Sequence, residues 1–125
     1  MSVAYHPLNL AVRFFLELVM LVAFGIWGWQ AGHAIALSLL LAAGLPMVAA
    51  ILWGVFAVPG DRSRSGKAPV PVPGKLRLAL ELLLFGGAVW ALYTSGLLVV
   101  AIGFGLVIVL HSLLSYERMT WLIHQ

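Results

Sequence analysis

The sequence predicts an all-α transmembrane protein, a four-helix bundle built from two tandem, parallel two-helix repeats with pseudo-two-fold symmetry along the membrane normal. Three observations predict it. The 125 residues are 63% hydrophobic and only 9% charged, against roughly 45–50% apolar and about 25% charged in soluble domains. Four apolar stretches approach the roughly 20 residues that cross about 30 Å of hydrocarbon. The two halves also align without a gap, at an offset of 64 residues, in their first helices. Residues 1–125 then form a single transmembrane domain, with repeat 1 over about 8–58, a cytoplasmic linker over 59–74 and repeat 2 over about 75–121.

The first span runs from about Leu8 to Gln30. Glu17 interrupts its apolar run, and no small-x-small cleavage site follows, so it reads as a retained helix and not as a secretory signal. The second runs from about His33 to Val58, with Gly44 and Pro46 near its middle. Proline frees a backbone carbonyl one turn earlier, so a kink is expected there. The third runs from about Leu76 to Thr94, and the fourth from about Leu97 to Ser115, continuing as an interfacial turn through Trp121. Very short connections at Gln30–His33 and Thr94–Leu97 make two hairpins.

Between the hairpins, Pro59 to Gly74 holds Asp61, Arg62, Arg64 and Lys67, followed by Pro69, Pro71 and Pro73. The alternating prolines favour an extended linker with no core of its own. Lys and Arg in short loops set orientation. Arg62, Arg64, Lys67, Lys75 and Arg77 flank the central loop, Arg13 begins helix 1, Arg118 follows helix 4, and the two tight turns carry none. All seven basic residues therefore mark one side, the cytoplasm, which places both termini there. Trp27, Trp29, Trp90 and Tyr93 fall at the outer ends of helices, and Tyr5, Trp53, Tyr116 and Trp121 at the inner ends, as interfacial aromatics do.

In the repeat, Arg13 matches Arg77, Glu17 matches Glu81, Leu16 matches Leu80, Leu18 matches Leu82, Trp29 matches Tyr93 and Gly32 matches Gly96. Two charge matches at one offset separate this from chance apolar similarity. Helices 2 and 4 match poorly. Small residues four apart (Gly28 and Gly32, Ala50 and Gly54, Gly87 and Ala91, Ala101 and Gly105) mark close helix approaches, one of which would also serve a homodimer contact.

Ionisable groups within a span need partners. Arg13 and Arg77 lie one turn inside the cytoplasmic boundary, and Glu17 and Glu81 one turn deeper. A basic residue N-terminal to its acid is the weaker i,i+4 orientation. Crossed pairs, Arg13 with Glu81 and Arg77 with Glu17, are therefore predicted. His111 falls near the same depth beside Ser112 and Ser115, and the set Arg13, Glu17, Arg77, Glu81 and His111 is the candidate polar cluster. Two readings stand: an ion-paired lock in which His111 bonds a neighbouring carbonyl, or a polar pocket open to the cytoplasm in which a buried carboxylate and a histidine handle protons.

No catalytic residues are expected. Nucleophile elbow, metal-binding helix and phosphate-loop motifs are absent, cysteine is absent, and His6, His33 and His124 lack ligand spacing, so neither metal nor cofactor is expected. The net charge of +3 reads as topology and contact with anionic headgroups at the basic loop, and not as nucleic-acid binding.

The segments NLAVRFFLELVMLVAFGIWGWQAG (Asn9 to Gly32), GLPMVAAILWGVF (Gly44 to Phe56) and LRLALELLLFGGAVWALYTSG (Leu76 to Gly96) together resemble the YrdB-like family of small bacterial four-helix membrane proteins. That family is uncharacterised, so the resemblance implies a bacterial plasma-membrane location and no catalytic residue. A looser likeness, in length, helix count and a glutamate in helix 1, is to small multidrug exporters; Arg13 and the second glutamate depart from that pattern. The functional expectation is a non-enzymatic scaffold or accessory protein of the bacterial inner membrane. Its alternative is a small oligomeric transporter or channel using Glu17, Glu81 and His111.

Overall fold

Five helices and one small strand pair make up the computed structural model, which describes residues 3–64 and 67–125. A 3-10 turn at Val3–Tyr5 leads into α1 (Pro7–Ala31). His6 starts this helix, its Nδ1 accepting from the Leu8 amide at 3.1 Å, and Pro7 occupies the first turn, where no amide donor is needed. After a tight turn α2 (Ile35–Val55) follows as one helix through Pro46. The Pro46 ring packs toward Gly25 of α1.

The predicted second span ends three residues early, because Phe56–Ala57 (β1) leaves the helix to pair in parallel with Val70–Pro71 (β2). Within the linker the proline run is extended at Val70–Pro71 and pairs with the residues that follow α2. Prolines 69, 71 and 73 carry no amide donor, so the donors of Val70 and Val72 are left on one edge of an extended run. The Val72 amide donates to the Ala57 carbonyl at 2.9 Å, and Ala57, Val58 and Asp61 are buried. Ser65 and Gly66 of the same linker lie outside the described residues.

Helix α3 (Gly74–Thr94) is followed by α4 (Leu98–Leu114) and α5 (Tyr116–Ile123). Between α3 and α4, Gly96 takes a left-handed φ of 83°, which lets the Leu97 amide reach back to the Leu92 carbonyl. The interfacial turn expected after Ser115 is a helix of its own, bent by 71° from α4. Helices α1, α2 and α3 are long and apolar enough to cross a membrane, and α4 with α5 qualifies as a fourth span if the bent pair is counted as one.

α1 packs on α2 and on α3, and α3 packs on α1, α4 and α5, so α1 and α3 lie at the centre. Leu16, Met20 and Ala23 of α1 meet Phe85, Ala88, Ala91 and Leu92 of α3 and Ala101 and Phe104 of α4 in the apolar core. Backbones approach closely where Gly74 of α3 lies against the Leu122 carbonyl of α5, and along α1 and α2, where a Cβ on Gly28 would fall 2.5 Å from the Leu41 carbonyl oxygen and Gly32 lies against Ser38. Gly54, expected to pack similarly with Ala50, faces open space. The outer surface is apolar, with Leu83, Val99 and Leu113 among its most exposed side chains, while Arg13, Arg77, Glu81, His111 and Arg118 are buried. That inversion of the soluble pattern suits lipid as the solvent.

Candidate functional site: a buried arginine–carboxylate network

The periodicity of α3 puts Arg77 and Glu81 on one face, and packing against α1 brings Arg13 to the same level. Glu81 is the hub. Its Oε2 accepts from Arg13 Nη2 at 2.9 Å, Arg77 Nε at 2.7 Å and Arg118 Nη2 at 2.7 Å, and its Oε1 accepts from Arg118 Nη1 at 2.8 Å. Three helices thus converge on one carboxylate through charge-assisted bonds, the stronger class of hydrogen bond.

Arg118 reaches further, its Nη2 donating to Asp61 Oδ2 at 2.7 Å and its Nε to Oδ1 at 3.3 Å. The Ser63 amide and hydroxyl hold the same Oδ1 at 2.9 and 2.8 Å. Burial alone would raise the Asp61 pKa, but the bonds and charge of Arg118, with the Ser63 donors, outweigh it and hold the carboxyl below its ordinary 3.8. Arg77, only 2% exposed, donates Nη1 to the carbonyls of Trp53 and Phe56 at 2.5 and 2.6 Å. It thereby caps the end of α2 and secures the turn into β1.

Of the predicted crossed pairs, the structure brings Arg13 to Glu81 but does not bring Arg77 to Glu17. Trp53 intervenes. Its indole Nε1 donates to Glu17 Oε1 at 2.6 Å, its ring lies under the guanidinium groups of both Arg13 and Arg77, at 5.2 and 4.8 Å, and its carbonyl takes Arg77. Glu17 keeps a 3.7 Å contact with Arg13 Nε and a side chain 23% exposed. The weaker i,i+4 orientation is therefore used twice, with Arg77–Glu81 at 2.7 Å.

His111 does bond a carbonyl oxygen, that of the Asn9 side chain, at 3.1 Å from Nδ1. Asn9 Nδ2 donates to Ser115 Oγ at 2.8 Å and to the Ala4 carbonyl. The open pocket anticipated around His111, Ser112 and Ser115 is a space of about 20 Å³ beside Glu81 and Arg118, about enough for one water. Packing of α5 across the end of the bundle closes it. A second polar cavity, about 250 Å³, lies on the other flank, between Glu17, Arg13, Trp53, Gly54, Arg64 and Arg77, with Leu10 and Phe14 as an apolar wall. Glu17 therefore faces a different space from Glu81 and His111. Among the described residues no histidine and carboxylate group is arranged to hold a metal ion.

From the sequence Arg118 and Arg64 are topology signals, Asp61 is a loop charge and Trp53 an interfacial aromatic, and Asn9 has no assigned role. Arg118 carried one usable signal: it shares a face of the amphipathic Tyr116–Ile123 segment with Leu122, and both are buried. A charge on the apolar face of an interfacial helix needs an internal partner.

Apolar helices enclosing a paired charge network define the molecule as an α-helical protein suited to a membrane. The chain belongs to the family described as Protein of unknown function (DUF2568), which matches residues 11–109. It is 44% identical over 117 residues to the Uncharacterized protein YrdB of Bacillus subtilis (strain 168), covering 94% of each chain, as the resemblance to the YrdB-like family implies. No solved structure matches.

Proposed function

We propose that the chain is a multi-pass protein of the bacterial inner membrane that acts as a non-enzymatic scaffold or accessory protein, held in shape by its arginine–carboxylate network. The observation that carries this reading is Glu81, 4% exposed and bonded to arginines from α1, α3 and α5. Four arginine N–H bonds and an adjoining space of only about 20 Å³ leave that carboxylate little room for a substrate or a travelling proton. Arg13, Arg77 and Arg118 balance Glu17, Glu81 and Asp61, so this core set is neutral, as a low-dielectric interior favours. The two hairpins are read as parallel repeats, supported by the central places of α1 and α3 and by the convergence of Arg13 and Arg77 on one partner.

The transporter or channel reading draws on a separate observation, the half-exposed position of Glu17 at a polar cavity. Reconstitution into liposomes under an imposed pH gradient separates the two. The scaffold reading expects proton and solute leakage equal to that of empty vesicles. A flux abolished by Glu17→Gln overturns it. Cytoplasmic termini and loop are tested in the naturally cysteine-free chain: an impermeant maleimide should label Thr94→Cys in intact spheroplasts, and Lys67→Cys only after permeabilisation. The reverse pattern inverts the topology.

A further inference from the structure

We propose that the cavity bounded by Arg64, Glu17 and Trp53 binds the headgroup of an anionic, hydroxylated phospholipid, with its phosphodiester on Arg64. This goes beyond the clamp, because Arg64 takes no part in the Glu81 network. Its Nη2 donates to the carbonyls of Gly54 and Lys67, at 3.0 Å each, while Nη1 is buried without a partner among the described residues. A buried guanidinium nitrogen left unpaired is costly.

Charge gives the sign of the ligand. Arg13, Arg77 and Arg118 against Glu17, Glu81 and Asp61 leave no net charge, so Arg64 is one positive charge in excess at this wall. A phosphodiester carries one negative charge and accepts bonds from a guanidinium fork. Glu17 supplies the second element of recognition. Trp53 and Arg13 occupy Oε1, whereas Oε2 has no hydrogen-bond donor among the described residues, which suits a headgroup hydroxyl. A bare anion would be repelled there, and a glycerol headgroup would not.

The apolar wall points to a lipid rather than a soluble phosphate ester. Leu10 and Phe14 line the cavity, and Phe14 is 60% exposed on the outer face of α1, so the first methylenes of an acyl chain would continue along α1 from the phosphate. The volume of about 250 Å³ holds a phosphoglycerol group but not the chains, which must lie outside along the helix.

Native mass spectrometry of the detergent-solubilised protein, with melting temperature as a second readout, tests this. Phosphatidylglycerol should bind in preference to phosphatidylcholine and raise the melting temperature. Arg64→Gln should weaken that binding by about tenfold, the worth of one charge-assisted bond, without lowering the melting temperature in lipid-free detergent. Arg62→Gln removes the same charge from the same loop, but at a residue stacked on Tyr5 and outside this cavity, and should bind as the parent does. Phosphatidylglycerol should also bind more tightly than phosphatidylmethanol, which has the charge without the hydroxyls, and Glu17→Ala should remove that difference. Equal losses in Arg62→Gln and Arg64→Gln would mean diffuse surface electrostatics and overturn the site. Saturable binding of deacylated glycerophosphoglycerol at the lipid's affinity would overturn the lipid assignment in favour of a soluble ester.

Discussion

Replacing Glu81 by glutamine removes one negative charge and converts one oxygen to an amide donor, at a point where four arginine N–H groups already converge. The neutral core set becomes +1. The one amide oxygen left cannot accept all four N–H groups, so Arg77 falls back on its backbone carbonyls or Arg13 on its 3.7 Å contact with Glu17. Removing one partner of a buried ion pair costs about 3–5 kcal/mol, because the remaining arginines are left without their counter-charge. At about 4 °C per kcal/mol for a chain of this length, the melting temperature should fall by roughly 12–20 °C. Glu17→Gln is the internal control. Glutamine can still accept from Trp53 Nε1, the Arg13 contact is long, and the side chain is partly exposed, so about 1 kcal/mol is expected. Thermal unfolding in detergent, followed by tryptophan fluorescence, compares the two. Equal losses, or a larger loss at Glu17, would refute the assignment of Glu81 as the hub.

Close helix packing predicts that Gly28→Ala costs about 1–3 kcal/mol, because its methyl meets the α2 backbone at Leu41. Gly86→Ala, with nothing within 4 Å, should be neutral or stabilising by up to about 1 kcal/mol; chemical denaturation in mixed micelles measures both. Asp61 makes a prediction in pH. Its folded pKa lies below the 3.8 of the free side chain, so its contribution to stability is fully present above 3.8 and is lost as pH falls through the folded value. Asp61→Asn should therefore lower the melting temperature at neutral pH and flatten its dependence on pH below 3.8, and an unchanged acid limb would refute the Arg118–Asp61 link.

The spans were readable because hydrocarbon thickness demands long apolar runs, and the composition leaves few other ways to arrange them. The Arg13–Glu81 pair can be expected from the sequence, because the same Arg-x-x-x-Glu spacing in α1 and α3 puts the two side chains within one turn of each other's level. Two kinds of information were not readable. Arg118 and Asp61 stand 57 residues apart; the amphipathic pattern of α5 turns Arg118 inward without naming its partner, and their meeting depends on the 71° bend after α4. Trp53 lies near the end of α2, but a helix apolar on every side gives no sign that its indole turns toward Glu17 of α1. The proline run shows what a local pattern leaves out: alternate residues without donors predict an extended stretch but not its partner, the Ala57 carbonyl of β1 that takes the Val72 amide.

Glu81 has the guanidinium of Arg118 at its carboxylate, whereas the wall beside Glu17 carries Gly54, which offers only a hydrogen. The cavity lies at Gly54, and Arg64 from the loop donates to the Gly54 carbonyl as a partial substitute. If the missing side chain is the cause of the cavity, Gly54→Arg combined with Arg64→Gln should close it. Open space beside Gly54 admits the new side chain, a cation in the last turn of α2 is favoured by the helix dipole, and the total charge is unchanged. The double variant should melt at or above the parent and lose phosphatidylglycerol binding, whereas Gly54→Arg alone should be less stable than the double variant, having two guanidinium groups at one wall. A double variant that still binds phosphatidylglycerol as the parent does would show that the vacancy opposite Glu17 is not what makes the site.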